Sequence, residues 1–345
     1  MGYTVVSSGK NLKVLFVYSV LSTFSNNDLQ ILQKNFDVRS INVTTFLVPK
    51  KDRDWLGYFR LIKGLIWSDI VYAWWADLNA FFIVLLCKLF HKKNIIVVGG
   101  HEVAYIPEIN YGTLLSTKGR FEVKFILDHA NKILAVSKFS EKETIHFSIP
   151  KLIKVVYNGV DIKRFQPAGD KKNMVLTVVN KISQDTIGIK NLDTFLKASS
   201  YLPEVKFVVV GAISGNCKEF VKKKTRSNVE FTGYLDHCIL VDYYQKTKVY
   251  CQLSTHESFG VALVEAMSCG CIPVITKKSA LPEIVGNIGF YAPYKNPEAT
   301  ADAISKALIS NNGLKARERV EKYFSLQSRE KKLIKEIIDL IEQKK

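Results

Sequence analysis

The sequence predicts an α/β protein of two domains, each built on a parallel sheet. Three observations carry this. Short apolar runs rich in β-branched residues alternate with helix-period segments along the whole chain. That order lays strands side by side in parallel with helices on their faces. Several of the runs are apolar throughout instead of alternating, as strands buried on both faces are. Finally, 345 residues is long for one hydrophobic core and suits two.

In the first half the expected strands are Leu12–Tyr18, Val43–Val48, Asp69–Ala73, Asn94–Val98, Lys132–Val136 and Lys154–Tyr157. Between them lie a helix at Trp55–Ile66, headed by Asp52-Arg53-Asp54 as a helix-capping pair, and an apolar helix at Leu78–Phe90. The latter is read as a buried helix of the sheet, with a surface-inserted helix as the alternative. Asn158-Gly159 is a turn signal and Pro167-Ala168-Gly169-Asp170 a breaker cluster. The domain boundary is placed there, giving domains at residues 1–163 and 164–324. In the second half the expected strands are Val175–Val179, Val205–Val210, Val229–Phe231, Val249–Leu253, Pro273–Ile275 and Gly289–Tyr291. The tail, residues 325–345, puts Leu333, Ile334, Ile337, Ile338 and Ile341 on one helical face.

Lysine and arginine number 49 against 32 acidic residues, a formal charge of +17. Such a surface attracts anions: nucleic acid, an anionic membrane or a phosphorylated substrate. Basic clusters at Lys50-Lys51, Lys92-Lys93, Lys222-Lys223-Lys224 with Arg226, Lys331-Lys332 and Lys344-Lys345 each read as a solvated face. Taken together they favour an anionic membrane surface, at roughly 1 kcal/mol per basic residue near the lipid. No nucleic-acid-binding motif is present, so no nucleic acid partner is expected. No run reaches the ~18 apolar residues of a membrane-spanning helix, and the N-terminus does not read as a secretory signal. Gly2 fits myristoylation poorly, because Val6 occupies the Ser/Thr position. The six cysteines form no C-x-x-C pair, and Cys269-Gly270-Cys271 lacks partners for zinc. They read as free thiols of a reducing compartment. Neither a cofactor nor a metal is expected.

The most informative stretch runs from His256 to Gly270, where Glu257 and Glu265 stand eight apart around a small apolar turn opening a helix. A helix N-terminus offers unpaired N–H groups and partial positive charge, and binds phosphate. Gly260 lets a ligand come close to the backbone. A diphosphate on this turn would have hydroxyl-bearing groups on either side, each meeting one carboxylate, and a nucleotide sugar is laid out that way. The plain alternative is an amphipathic helix with an acidic first turn. The flanking runs Val249–Leu253 and Gly270–Ile275 favour the site, since they make a strand, turn, helix, strand unit of a nucleotide-binding sheet.

The stretch Ser254–Gly286, with E-S-F-G-x-x-x-x-E-A-M-x-x-G-x-x-P-V and then Leu281-Pro282-Glu283-Ile284-Val285, resembles the signature of the retaining glycosyltransferases of family 4. Asn158-Gly159-Val160-Asp161 followed by Phe165 and Pro167 is similar to the family's hinge. Val209-Val210-Gly211 and Phe231-Thr232-Gly233-Tyr234 are similar to its strand ends. The resemblance covers about Leu134 to Phe324 well and is weaker before that. It implies the GT-B architecture, two facing Rossmann-like domains with a nucleotide-sugar cleft between them, and a final helix that crosses back onto the first, acceptor-side domain.

The resemblance also implies roles. Glu257 would hold hydroxyls of the transferred sugar and Glu265 those of the ribose. The backbone at Phe259, Gly260 and Val261, with Ser258 in the same turn, would hold the distal phosphate, and Gly233 and Tyr234 would border the base. Lys181 and Lys190 would stabilise the leaving diphosphate, preorganised positive charge being the largest catalytic term for such a group. Here the chain departs from the family: lysine replaces the usual arginine at Lys181, nine residues separate the two lysines, and Asn191 stands where glycine is common. Two solvated loop lysines are the alternative. His101, after Val97-Val98-Gly99-Gly100, is similar to the histidine that faces the donor sugar; a structural histidine is its alternative. The first loop, Ser19–Asn27, lacks the paired glycines often seen there. The leading functional reading is a cytoplasmic hexosyltransferase, peripheral on the inner membrane face, retaining and metal-independent. It moves a sugar from a nucleotide-sugar donor to a glycan or lipid-linked acceptor. A non-catalytic partner subunit of the same fold and a basic nucleic-acid-binding protein are the alternatives.

Overall fold

The computed structural model describes residues 12–43 and 55–343 of the chain. All but Val43 of the expected strand at 43–48, the Asp52–Asp54 pair, Gly2, Val6 and the lysine pairs at 50–51 and 344–345 lie outside the described residues. The chain forms two compact units. The first takes the residues up to Pro107, Tyr111–Gly159 and those from Gln327 on; the second takes Glu108–Asn110 and Val160–Leu326.

The first unit runs β1 (Lys13–Tyr18), α1 (Thr23–Asn35), β2 (Asp37–Asn42), α2 (Trp55–Trp67), β3 (Ile70–Trp74), α3 (Leu78–Leu89), β4 (Lys93–Val98), α4 (Thr117–His129), β5 (Lys132–Ala135), α5 (Lys138–Phe147) and β6 (Ile153–Val155). Among the described residues its six strands are all parallel, in the order β2-β1-β3-β4-β5-β6. The central strands are buried along their length because helices cover both faces. On one face, Leu61 and Leu65 of α2, Ile83 and Val84 of α3 and Val123 and Ile126 of α4 share a core with Leu15, Val71 and Ile96.

One strand is unexpected and one expectation needs correcting. The strand after α1 is the polar Asp37–Asn42, which apolar patterning does not mark; among the described residues it is an edge strand with one neighbour and largely exposed residues. Nor is α3 buried all round. Ala80, Ile83, Val84 and Cys87 face the core, while Phe82, Leu85 and Leu89 are exposed.

The second unit runs β7 (Lys172–Ile182), α6 (Gln184–Ile189), α7 (Leu192–Ala198), β8 (Lys206–Ile213), α8 (Lys218–Lys224), β9 (Val229–Gly233), α9 (His237–Lys246), β10 (Thr247–Gln252), α10 (Val261–Ser268), β11 (Ile272–Thr276), α11 (Leu281–Val285), β12 (Phe290–Ala292), α12 (Pro297–Ile309) and α13 (Gly313–Tyr323). Its six parallel strands take the order β12-β11-β10-β7-β8-β9. The chain moves outward from β7 to β9, then returns to the other side of β7 with β10. Strand order therefore reverses between β7 and β10, and open α/β sheets bind ligands outside the carboxyl ends of strands at such a point.

The last helix, α14 (Leu326–Glu342), belongs to the first unit from Gln327 on. Arg329 anchors it. Its Nε and Nη2 donate to Asp28 of α1, the latter at 2.7 Å, and its Nη1 donates to the carbonyls of Val156 and Tyr157 at 2.9 and 2.7 Å. Asp28 also accepts from Tyr72 Oη at 2.6 Å and Trp74 Nε1 at 2.8 Å. The whole cluster is buried. Further along, buried Lys132 donates to Glu336 at 2.9 Å. All six cysteines are free thiols; five are buried and Cys238 is exposed. Among the described residues no helix is long and apolar enough to cross a membrane.

Candidate functional site

Three loops meet at the carboxyl end of the second sheet, at the reversal point between β7 and β10. The first leaves β7, makes α6 and ends at Lys190-Asn191. The second leaves β10 at Leu253 and runs through Glu257 to Gly260. The third follows β11 and turns at Ser279-Ala280. Thr255 N donates to the Ile189 carbonyl at 2.8 Å, which ties the second loop to the first. Glu257 N donates to Ser279 Oγ at 2.9 Å, and Ala280 N donates to the Glu257 carbonyl at 3.0 Å, which ties it to the third. Glu257 is thus fixed at its backbone. Its carboxylate accepts from Ser254 Oγ at 3.2 Å and forms an ion pair with Lys190. These two residues are 67 apart in sequence, and each is expected in the site on its own, with no contact between them foreseen.

Lys190 owes its position to local signals. Ser183 and Thr186 form a capping box that starts α6, and Lys190 ends that helix. Asn191 follows in the left-handed region at φ 52°. Glycine is the usual residue at such an angle, and asparagine is among the few side chains that tolerate it. The departure from the family's glycine therefore preserves the backbone. Asn191 Oδ1 accepts from Thr194 Oγ1 at 2.8 Å, while its buried Nδ2 has no partner among the described residues.

The turn into α10 is built by Gly260, whose φ of 90° and ψ of 60° would strain any residue with a Cβ. No side chain caps this helix, so its first N–H groups point out of the turn unclaimed by a capping residue. The Phe259 ring packs edge-on against Phe324 at 5.6 Å and is buried. Phe259 can therefore offer the site its backbone only. Ser258 and Val261 are half-buried on either side. Gln252, at the end of β10, is buried with Oε1 lacking a partner among the described residues; its Nε2 is close to Gly260.

Glu265 lies one turn into α10, buried, and accepts from Tyr244 Oη at 3.2 Å. Burial pushes its pKa up to about 7, against smaller lowering effects of the Tyr244 hydrogen bond and the Arg164 guanidinium. The folded protein thus keeps this proton over a range where the unfolded chain has lost it. Stability contributed by Glu265 is fully present at and below about pH 4.5 and is lost as pH rises from there to about 7, by about 3 kcal/mol in all at about 1.4 kcal/mol per unit. Glu265→Gln is expected to remove that slope. Urea midpoints of wild type and variant, compared between pH 5 and 8, should converge at the acid end, with the variant more stable at the alkaline end. Parallel profiles would mean that Glu265 is ionised in the fold.

The other expected residues are placed as follows. β7 extends to Ile182, so Lys181 sits within the strand, opposite Ala212, exposed, with its carbonyl accepting from Thr186 Oγ1 at 2.5 Å. It is not paired with Glu257 as Lys190 is. Gly233 ends β9, the edge strand two removed from β7, and Tyr234 follows it; Gly233 has φ 74° and Tyr234 is exposed. In the first unit, exposed His101 follows β4, with Nδ1 3.2 Å from Thr113 Oγ1 and its ring edge-on to Tyr111 at 4.9 Å. Partial desolvation lowers its pKa.

Glu102, which the sequence offers only as a charged loop residue beside His101, is the buried organiser of that turn. It accepts from the N–H groups of Ala76, Gly99 and Gly100 at 3.3, 3.1 and 2.7 Å. A glutamate two residues after a glycine pair is the only signal for it. Sequence reasoning missed a cavity of about 520 Å³ bordered by Tyr105, Leu114, Arg120, Glu143, His146 and Phe147, where burial pushes the Glu143 carboxyl up to about 8.

Comparison with known proteins bears on the family and the fold. Residues 160–325 match the model of glycosyl transferases group 1, and residues 18–164 that of glycosyltransferase family 4. The gpi3 subunit of phosphatidylinositol N-acetylglucosaminyltransferase from Schizosaccharomyces pombe is 26% identical over 175 residues, 47% of this chain and 38% of that one. The chain spans about half the length of the curated relatives it matches, 38%, 56%, 48% and 54% in four of them. Among solved structures, sucrose-phosphate synthase from Thermosynechococcus elongatus superposes with a TM-score of 0.79 at 16% identity, over 96% of this chain and 99% of that one. HepE of Anabaena, in complex with UDP-glucose, gives 0.73 at 16% identity, over 95% and 100%. Two parallel six-stranded sheets with this helical cover are the GT-B fold. With both family models matched in succession along nearly all its length, the chain belongs to the group 1, family 4 glycosyltransferases.

Proposed function

We propose that this protein is a retaining, metal-independent glycosyltransferase that takes a sugar from a nucleotide-sugar donor. Its acceptor is a glycan or a lipid-linked molecule, at the cytoplasmic face of a membrane. The observation that carries the reading is the meeting of Lys190 and Glu257 beside the uncapped start of α10, at the reversal point of the second sheet.

The chemistry divides among the residues as follows. The N–H groups at Phe259, Gly260 and Val261 hold the distal phosphate, with the helix N-terminus favouring its charge. Lys190 stabilises the diphosphate as it leaves, a preorganised cation serving where charge develops. Lys181 is assigned a lesser part in the same task. Glu257, held by Ser254, takes hydroxyls of the transferred sugar. Glu265 takes the ribose, and with a pKa of about 7 it can both donate to and accept from hydroxyls near neutral pH. His101 is assigned a hydroxyl of the transferred sugar. HepE's complex with UDP-glucose makes a UDP-sugar the first donor to try.

A thermal-shift screen against a panel of nucleotide sugars tests the reading. A true donor is expected to raise the melting temperature, since a ligand at 100 times its Kd adds about 2.7 kcal/mol to the native state. Slow release of free sugar from that donor separates an enzyme from a non-catalytic subunit. A panel without one stabilising nucleotide sugar sinks the proposal.

A further inference from the structure

Helix α3 turns a greasy side outward. Phe82 is 45% exposed, Leu85 44% and Leu89 70%, at i, i+3 and i+7 of one stripe, with exposed Lys88 at its end. A helix on the face of a sheet ordinarily directs polar residues to water. Here the outward stripe is as apolar as the inward one, so folding alone does not account for it. Helix α4 packs alongside through Phe81, whose ring lies 6.0 Å from Phe121 and 4.6 Å from Phe125. Phe121 itself is 66% exposed, set between the exposed lysines 118 and 124. Those two lysines pair with Glu122 at 3.7 Å and Asp128 at 2.9 Å, surface pairs that contribute little. Helix α2, over the same core, repeats the motif: Phe59 and Ile66 are exposed, and Lys63 lies 4.6 Å from the Phe59 ring centroid.

We propose that the outer face of the α2–α3–α4 layer in the first unit is the surface by which this protein docks on an anionic bilayer. The exposed aromatic and aliphatic side chains enter the headgroup boundary, and the lysines among them meet lipid phosphates. Exposed apolar side chains gathered on one layer mark an interaction site, and the basic residues among them select an acidic partner. Apolar burial a few ångströms deep combined with charge attraction is how interfacial helices bind. The net charge of +17 works in the same direction. This inference rests on the membrane-facing part of the functional reading and adds the face that does the docking.

Flotation with phosphatidylcholine vesicles, with and without phosphatidylglycerol, tests it on the full chain. Wild type is expected to float with the anionic vesicles. The triple variant Phe82→Ser, Leu85→Ser, Leu89→Ser is expected to lose partitioning by on the order of 100-fold even at low salt. The variant should keep its thermal shift with the donor sugar, which separates loss of docking from loss of the enzyme. Wild type that stays with neither vesicle overturns both the docking face and the membrane location. Flotation that survives the triple substitution overturns the face alone. Self-association of wild type that the variant abolishes, without vesicle binding, makes the face a protein interface and also overturns it.

Discussion

Lys190→Ala is expected to lower kcat for sugar transfer by about 10²–10³-fold while leaving the melting transition nearly in place. The kinetic part follows from the assigned task. If Lys190 meets charge that appears on the diphosphate only as the bond to the sugar breaks, its loss falls on the transition state and not on donor binding. The stability part follows from exposure. Lys190 and Glu257 are partly solvated, and such a pair is worth about 0–1 kcal/mol. Lys190→Arg should recover only part of the rate, because a planar fork replaces a point charge in a loop built for the latter. Glu257→Ala should also cut transfer severely, but for a different reason, and the double variant distinguishes the two. Were Glu257 only a prop for Lys190, Glu257→Ala would cost nothing once Lys190 was gone. With Glu257 on the sugar hydroxyls, the double variant should bind donor more weakly than Lys190→Ala alone. The checks are kcat and KM for the donor and thermal midpoints of the three variants. Turnover close to wild type in either single variant would remove the pair from the site.

How much of this could be read in the amino acids depends on which force each feature answers to. Buried parallel strands are apolar along their length, so β1, β3, β4, β7, β8 and β10 stand out as runs; only their ends shift by a few residues. Strand β2 answers to hydrogen bonding at a sheet edge, and its polar residues carry no apolar trace. The all-apolar α3 is ambiguous in principle. A helix buried all round and a helix buried on one side with a greasy outer stripe have the same composition, and only the placement of Phe82, Leu85 and Leu89 separates them. Within the site, the turn at Gly260 and its two glutamates are local and legible. The partnership of Glu257 with Lys190 spans 67 residues and follows from strand order, which no local pattern encodes. Glu102 was legible as a glutamate and illegible as an organiser, because its three partners are backbone N–H groups.

Arg329→Met is expected to destabilise the first unit by about 3–5 kcal/mol, the cost of leaving a buried carboxylate without its cation. The sequence offers arginine at this position as one more charge on the tail, yet it is buried and holds the helix by four hydrogen bonds, two to Asp28 and one each to the carbonyls of Val156 and Tyr157. Methionine keeps an unbranched apolar stem and removes only the guanidinium end, so most of the loss reports charge and hydrogen bonds. The environment leaves Asp28 few remedies: Tyr72 and Trp74 still donate, but neither supplies a charge. Fluorescence can read this unit by itself, because all four tryptophans, at 55, 67, 74 and 75, fall within it, and Trp74 donates directly to Asp28. The expected result is a lower urea midpoint in tryptophan emission. The double variant Asp28→Leu, Arg329→Met supplies the control. Removing both charges eliminates the unpaired group, so the double should be more stable than Arg329→Met alone. A single variant within 1 kcal/mol of wild type, on the scale where a broken buried pair costs several, would show that α14 is held by its apolar face (Leu333, Ile337 and Leu340) and not by this ion pair.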